Sequence, residues 1–410
     1  MSGQESQRGK VKEDTMNKIK KSVLVLCLAL LGAMTALVSP VLAEDAKPAG
    51  VSADDLKKAL GLSVYLQTGY TYNGDAGSNS AGQPEENDLR VFDHKANSFT
   101  LDLAQIVFQK DPAAGNVGYK LKLSAGDTAK WIHSRGLSGA ALDQPQAGEG
   151  TDSFDVTEAY MSYTAAMGKG IRFDLGKMVT YFGAEVIEAI DNPNYSRSLL
   201  FNYAIPFTHT GLKISYGFTD TLSASFHVVN GWDNSTDNNK GKCYGASVTY
   251  APVEVFSLIV NGMTGPEEDQ TATPAIGSVG SNRRSLIDVV ATIKPVKGLS
   301  LIVNTDNGRE QNVPGLDGPA TWSGAAGIVK YDFSDKYSLS VRGETFGDKE
   351  GFRTGMVQRV KEVTVTPEIR LSGGLVLRPE YRHDSSDVAS FDNGTKKSQN
   401  TVALGAMYRW

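Results

Sequence analysis

The sequence predicts a transmembrane β-barrel of about 16 antiparallel strands that run up and down around one ring. Three observations predict this fold: apolar and polar residues alternate with a period of two, the connectors alternate between short and long, and the chain ends on an alternating strand closed by Trp410. Glycine supplies 43 of 410 residues, above the usual share of about 7%, which suits many strands and turns.

The first element is a predicted signal peptide. Three lysines up to Lys21 precede an apolar run at residues 23–37, and Val41-Leu42-Ala43 has the character of a cleavage site. We therefore predict an N-terminal extension and cleaved signal peptide at residues 1–43; a membrane anchor is the alternative. Residues 44–61 are predicted to be a short periplasmic segment with a helix, and residues 62–410 the barrel.

Sixteen strands are predicted from the alternation. In residues 212–218, for example, large apolar residues alternate with lysine, serine and glycine, which gives one apolar and one polar face. The runs begin near Leu62, Ser98, Val117, Asp155, Ile171, Gly211, Thr221, Cys243, Val255, Ser285, Leu299, Ser323, Tyr337, Val360, Leu375 and Asn400. Because an unpaired backbone group in lipid costs several kcal/mol, such a sheet must close.

The last strand supports closure, since Val402, Leu404, Ala406, Tyr408 and Trp410 share one face; Tyr408 and Trp410 are the predicted assembly signal. Four tryptophans at strand ends or in the adjoining loops predict an aromatic girdle. Two prolines, Pro367 and Pro379, fall inside predicted strands, and we expect bulges or strand ends there.

The polar faces predict a wet lumen whose wall carries both signs of charge. Three consecutive strands hold a dense set of these charges, for which cross-strand ion pairs are expected. A solvated face without any role in selectivity is the alternative. The predicted wall residues are Lys120, Lys122, Arg172, Asp174, Arg342, Glu344, Glu362, Glu368, Arg370, Arg378, Glu380 and Arg382.

The third long connector, residues 180–210, is unusually aromatic for a loop in water. We expect it to fold into the barrel, with its rings on the wall and its charges facing the opening, and so to narrow a pore; a cap on the rim is the alternative. Three carboxylates against one arginine favour cations. The predicted constriction residues are Glu185, Glu188, Asp191, Tyr195, Arg197, Phe207 and His209.

A resemblance to a known family is carried by the same region. The residues concerned are Gly176-Lys177, Glu185-Val186-Ile187, the stretches 191–198 and 203–211, and Val229 to Asp233, with a familial strand at residues 99–108. They resemble the OmpL-like beta-barrel porin family of Gram-negative bacteria. The resemblance implies an outer-membrane channel for small hydrophilic solutes or ions and implies no particular solute.

Other function classes lack support in the sequence. Without residues 1–43, 35 Lys and Arg remain against 43 Asp and Glu, a net charge of −8 that argues against a nucleic-acid partner. Only Cys243 remains, and no nucleotide, haem, zinc or hydrolase motif is present. No cofactor and no metal are predicted. The acidic clusters at residues 85–88 and 267–269 are interpreted as solvated loop charge.

A passive porin is thus the first functional hypothesis, with no enzymatic activity. A barrel that sheathes a partner protein, such as a multihaem cytochrome, is the alternative. An outer-membrane hydrolase and a soluble exported sandwich are two further hypotheses. The expected partners are outer-membrane lipid and lipopolysaccharide, the outer-membrane assembly machinery and further copies of the chain as a trimer.

Overall fold

The barrel lies within the second of two units of the chain. The computed structural model describes residues 53–76, 86–137, 153–267, 282–313 and 315–410. The first unit, Met1–Asp55, is described only for its last three residues, and the second, Leu56–Trp410, contains the sixteen strands. The predicted signal peptide at residues 1–43 lies outside the described residues.

The helices and strands follow the predicted order, and every strand begins within three residues of its predicted start. The helices are α1 (Ala53–Leu60) and α2 (Asp127–Trp131). The strands are β1 (Leu62–Asn73), β2 (Ser98–Lys110), β3 (Val117–Ala125), β4 (Phe154–Ala165), β5 (Ile171–Val179), β6 (Thr208–Gly217), β7 (Leu222–Val229), β8 (Cys243–Val253), β9 (Phe256–Pro266), β10 (Arg283–Ile293), β11 (Leu299–Glu310), β12 (Ala320–Asp332), β13 (Tyr337–Asp348), β14 (Gln358–Arg370), β15 (Leu375–Ser386) and β16 (Ser398–Arg409).

The sheet closes on itself. Each strand pairs antiparallel with the next along the chain, and β1 pairs with β16 from Tyr65 opposite Arg409 to Asn73 opposite Thr401. Closure removes both sheet edges, so the backbone donors and acceptors of the first and last strands pair with each other. The predicted barrel of sixteen antiparallel strands is confirmed.

The two faces of the sheet differ as the alternation predicts. In β16, Val402 and Leu404 are exposed while Thr401 and Ala403 are buried, and Phe99 on β2 is 85% exposed. Charged side chains lie instead on the inner face, most of them buried. The outer surface is therefore an apolar band fit for lipid. Among the described residues, no helix has the length and apolar character to cross a membrane.

The two strand prolines are accommodated without the bulges or strand ends that the sequence predicted. Pairing between β14 and β15 lapses between the pairs Val365–Tyr381 and Ile369–Leu377. Each strand spends the same number of residues in this gap, so the register is kept and Pro367 lies opposite Pro379. Because proline has no backbone N–H, both missing donors fall at the same place in the β14–β15 ladder.

The predicted tryptophan girdle is wrong for most of its members. Trp232 and Trp322 are buried on the inner side, where their rings meet edge to face at 6.0 Å, and Trp131 packs against His94. Trp410 alone of the four is exposed. The exposed rings near the short turns are tyrosine and phenylalanine instead: Tyr119, Tyr163, Phe218, Tyr250, Phe333 and Tyr337.

Candidate channel site: loop 3 and the lumen wall

Loop 3, defined as residues 180–207 between β5 and β6, is a folded segment with its own core. It contains a 3₁₀ turn at Ala189–Asp191 and a π-helical turn at Leu200–Ala204. Most of its apolar side chains are buried together, and Phe207 meets Phe92, which lies between β1 and β2, edge to face at 5.3 Å. An aromatic core of this kind holds the loop as a compact layer rather than a solvated connector.

Arg342 on β13 is one central anchor of loop 3. Its guanidinium donates to Glu185 at 2.7 Å and to the carbonyl oxygen of Ser196 at 2.8 Å, and on the wall it donates to Glu362 at 2.6 Å. The side chain is fully buried. Each of its donors thus meets an acceptor, as a buried guanidinium requires.

Two wall carboxylates hold the backbone of loop 3. Glu380 on β15 accepts from the N–H groups of Tyr195 at 2.8 Å and Ser196 at 3.0 Å. Glu344 on β13 accepts from those of Leu199 at 2.6 Å and Leu200 at 3.2 Å, just where the π-helical turn begins. The second pair satisfies N–H groups that a helix leaves without intrahelical partners.

Two further arginines of β15 bind carbonyl oxygens of loop 3. Arg378 donates to Ala189 at 2.5 Å and to Asn194 at 3.1 Å, and Arg382 donates to Arg197 at 2.6 Å. The wall therefore offers acceptors to the loop's donors and donors to its acceptors.

Glu188 and Asp191 of loop 3 are held by side chains of β2, β3 and β16. Glu188 accepts from Lys122 of β3 at 2.9 Å and from Gln105 of β2 at 2.8 Å. Burial raises the pKa of Glu188, but the charge and hydrogen bond of Lys122, with the bond from Gln105, outweigh it and lower the pKa to about 2. Asp191 forms an ion pair with Arg409 at 2.5 Å.

Tyr195 lies in a cradle of two glycines that face each other on β1 and β16. A Cβ atom at Gly69 would stand 2.0 Å from the tyrosine oxygen, and one at Gly405 would stand 2.3 Å from its ring. The hydroxyl donates to Asp102 of β2 at 2.6 Å. Any larger residue at either glycine would displace the ring.

Most charges among the predicted constriction residues do not face an opening as expected. Asp191 is the exception, because its side chain is half-exposed in its ion pair with Arg409. Glu185, Glu188 and Arg197 are buried and directed at the wall or at the loop's own backbone, because a buried charge needs hydrogen-bond partners. Phe207 joins the aromatic core, and His209 lies on β6 between Thr180 and the carbonyl of Gly231. The predicted preference for cations depended on unpaired carboxylates in loop 3, and Glu185, Glu188 and Asp191 are all in ion pairs.

The wall carries the expected cross-strand ion pairs together with pairs between residues two apart on one strand, which are Arg382–Asp384, Arg370–Glu368 and Arg172–Asp174. Arg342 binds Glu362, which lies 3.5 Å from Arg382, and Arg382 pairs with Asp384 at 2.8 Å. Glu368 receives both Arg378 at 2.5 Å and Arg370 at 2.7 Å. On the other side of the barrel, Lys120 and Lys122 share Glu158, and Arg172 pairs with Asp174.

One part of the wall stays open, and its serines and threonine were not among the predicted wall residues. Inward residues of β6 to β8 border a cavity of about 370 Å³, together with Arg172 of β5 and Tyr181 of loop 3. Its polar lining consists mainly of small hydroxyl side chains and one lysine: Lys213, Ser215, Ser223, Ser225, Ser247 and Thr249. These alternating serines and the threonine were the available signal.

These features define a channel protein of the outer membrane: the strands form a closed barrel, its outer surface is apolar, its inner surface is charged, and a loop is bound to the inner wall. The family model described as "Putative beta-barrel porin-2, OmpL-like" matches residues 59–410, and the chain belongs to this family. The protein is an outer-membrane porin that forms a channel. No curated protein matches the sequence.

Solved structures share the fold at low identity. The outer membrane channel DcaP of Acinetobacter baumannii is 11% identical, with a TM-score of 0.57 over 85% of this chain and 96% of its own. The anion-selective porin from Comamonas acidovorans is 10% identical, with a TM-score of 0.57 over 85% and 98%. OmpT of Vibrio cholerae in its trimer form is 13% identical, with a TM-score of 0.53 over 85% and 98%.

Proposed function

We propose that this porin passes small hydrophilic solutes by passive diffusion, without an enzymatic step, and that loop 3 narrows its channel. The observation that carries the proposal is the distribution of loop 3 contacts. The loop exchanges hydrogen bonds with inward side chains of β1 to β3 and of β10 to β16. A segment bonded to strands on both sides of a barrel has to cross its interior.

The passage would then run beside the loop, along β5 to β8. The hydroxyl residues of this wall are half-exposed rather than buried, and the cavity there is bordered by Tyr181 of loop 3. Hydroxyl groups both donate and accept, so they can replace part of the hydration shell of a passing solute. We call this surface the serine wall; its polar residues are Arg172, Lys213, Ser215, Ser223, Ser225, Ser247 and Thr249.

Charge on the serine wall favours anions. In the described part of the chain, Lys213 has no ion pair, while Arg172 and the loop carboxylates Glu185, Glu188 and Asp191 are paired. An unpaired ammonium group beside a narrow water path raises the local concentration of anions. We therefore propose a preference for anions in place of the cation preference suggested by the loop's composition.

Single-channel conductance in a planar bilayer tests the passage. Deletion of residues 185–197 should raise the conductance, and Ser247→Trp, which places a large ring in the path, should lower it. Ala246→Trp is the matched control, because Ala246 is exposed on the outer face of the same strand. Equal conductance of the two tryptophan variants, in protein shown to be folded, would reject the passage along the serine wall.

The sheath alternative is disfavoured by the same geometry. A partner protein inside the barrel would have to displace loop 3, whose bonds to Arg342, Glu344 and Glu380 are buried. Purification of the native protein decides between them: discrete channels in the isolated chain support the porin, and a tightly associated cytochrome supports the sheath.

The proposal also covers export of the chain, its membrane partners and its oligomeric state. We propose cleavage after Ala43, a periplasmic place for α1, contacts with outer-membrane lipid and lipopolysaccharide, recognition of Tyr408 and Trp410 by the assembly machinery, and a homotrimer. The exposed side chain of Trp410 and the trimer form of Vibrio cholerae OmpT support the last two. N-terminal sequencing of the exported protein and cross-linking in the membrane test these points.

A further inference from the structure

Two buried carboxylates face each other on the lumen wall without a cationic partner. Asp288 on β10 lies directly opposite Asp306 on β11, and their exposed fractions are 0% and 3%. Like charges directly opposite one another destabilise a sheet. Within the described residues, neither aspartate is in an ion pair with Lys, Arg or His. Something other than a side-chain cation must offset their repulsion.

Hydrogen bonding around the pair is one-sided. Asp288 accepts from the side-chain amides of Asn261 at 2.6 Å and Asn304 at 2.5 Å and from the N–H of Gly183 in loop 3 at 3.2 Å. Asp306 accepts from no N–H or hydroxyl group of the described residues, and its one side-chain partner is the opposed carboxyl group of Asp288. Oδ1 of Asn261 is also buried without a partner. Leaving a buried polar atom without a hydrogen-bond partner is costly, so these oxygens need either a bound ligand or, for the two carboxyl groups, a shared proton.

The register places these groups in one row. Asn261, Asp288 and Asp306 stand side by side on β9, β10 and β11. The same row continues through Ser247 on β8 and Ser225 on β7 into the serine wall. A small hydrated ion in the passage therefore has a polar path to the two carboxylates.

We propose that Asp288 and Asp306, with the amide oxygen of Asn261, bind one Ca²⁺ ion on the wall beneath Gly183 of loop 3. Carboxylate and amide oxygens are the ligands that Ca²⁺ takes, and its flexible coordination tolerates a site completed by water better than the strict octahedron of Mg²⁺. No group of three or more His, Cys, Asp or Glu side chains suited to a metal occurs in the described ranges, so this site has only two protein charges. We expect it to bind with about millimolar affinity, as weakly charged extracellular sites do.

Binding would strengthen one attachment of loop 3. Gly183 donates to Asp288, and the next residue, Ala184, donates to Asn304 at 3.0 Å. Removing the repulsion between the aspartates fixes both acceptors in place. The ion thus stabilises the start of the loop rather than taking part in conduction.

Calcium binding to the refolded full chain tests the site, with and without chelator. Equilibrium dialysis against ⁴⁵Ca²⁺ should find one ion fewer per chain in Asp306→Asn than in the wild type. Ca²⁺ at about 1 mM should raise the thermal midpoint of the wild type and leave that of the variant unchanged. In chelator, the variant should be at least as stable as the wild type, because one of the opposed charges is gone.

Asp174→Asn is the matched control. Asp174 is also a buried inward carboxylate, but Ser162 and Arg172 already satisfy it, so this variant should keep the calcium response. Equal calcium binding and equal midpoint shifts in wild type and Asp306→Asn would overturn the proposal. The proposal would also be overturned if Ca²⁺ left the thermal midpoint of the wild type unchanged and this midpoint were higher than that of the variant in chelator. Two carboxyl groups that share a proton would behave in that way. Neither measurement needs an open channel, so failure here leaves the porin assignment intact.

Discussion

Replacement of Arg342 by methionine should release the middle of loop 3 from the wall. The guanidinium is fully buried and holds Glu185, Glu362 and the carbonyl of Ser196. Methionine keeps much of the volume but leaves the two carboxylates without this partner. Breaking a buried ion pair by removing one side costs about 3–5 kcal/mol.

This magnitude sets the expected effect on loop opening. Since 1.36 kcal/mol corresponds to a factor of ten, a cost of about 3–5 kcal/mol should shift the equilibrium between docked and released loop by about 10²- to 5 × 10³-fold. Glu185 keeps the N–H of Ser198 at 2.7 Å and Glu362 keeps Arg382, so the lower end of this range is the better expectation.

Amide hydrogen exchange of residues 185–200, followed by mass spectrometry, measures this opening directly. Exchange in the loop should accelerate in Arg342→Met while exchange in the strands stays the same. A second change, Glu185→Gln, should restore part of the protection, because it removes the unpaired carboxylate. Unaltered exchange in Arg342→Met would show that the anchor contributes nothing, and equal acceleration in every strand would show general unfolding instead.

Three further changes test other parts of the structure. Lys213→Glu should shift the reversal potential in a salt gradient towards cations, and an unchanged potential would refute the proposed anion preference. Gly405→Ala should push Tyr195 from its cradle and speed exchange in loop 3, whereas Gly343→Ala, where a Cβ has open space save one carbonyl oxygen at 4.0 Å, should not. Burial raises the pKa of Glu267 from 4.5 to about 7, so the native state favours its protonated form and loses stability as the pH rises from 4.5 through 7. The thermal midpoint of Glu267→Gln should fall less than that of the wild type over this range; parallel curves would contradict the assignment.

The strand pattern was predictable because it depends on local sequence. A period of two reports which side of a strand is apolar, and a lipid-facing barrel makes this contrast strong, as in Val402 and Leu404 against Thr401 and Ala403. The aromatic content of loop 3 likewise indicated that it is not a solvated connector.

The direction of the loop's charges was not predictable from the same information. Glu185 meets an arginine 157 residues away, and the N–H of Tyr195 meets a carboxylate 185 residues away. Composition gives the number of charges in a segment but not their partners. Those partners depend on register around the whole barrel, as does the finding that Pro367 and Pro379 stand face to face.

That pair of prolines also changes what holds the wall together locally. On the inner side of the gap, Glu368 and Arg378 meet at 2.5 Å, and Thr366 donates to Glu380 at 2.7 Å, so side chains join β14 to β15 where the backbone does not. An ion pair and a side-chain hydrogen bond therefore connect β14 to β15 at this gap, and high salt or acid in the lumen should loosen the gap more than the neighbouring backbone-paired parts of the same two strands. Strand-resolved hydrogen exchange measured against ionic strength would show this local loosening.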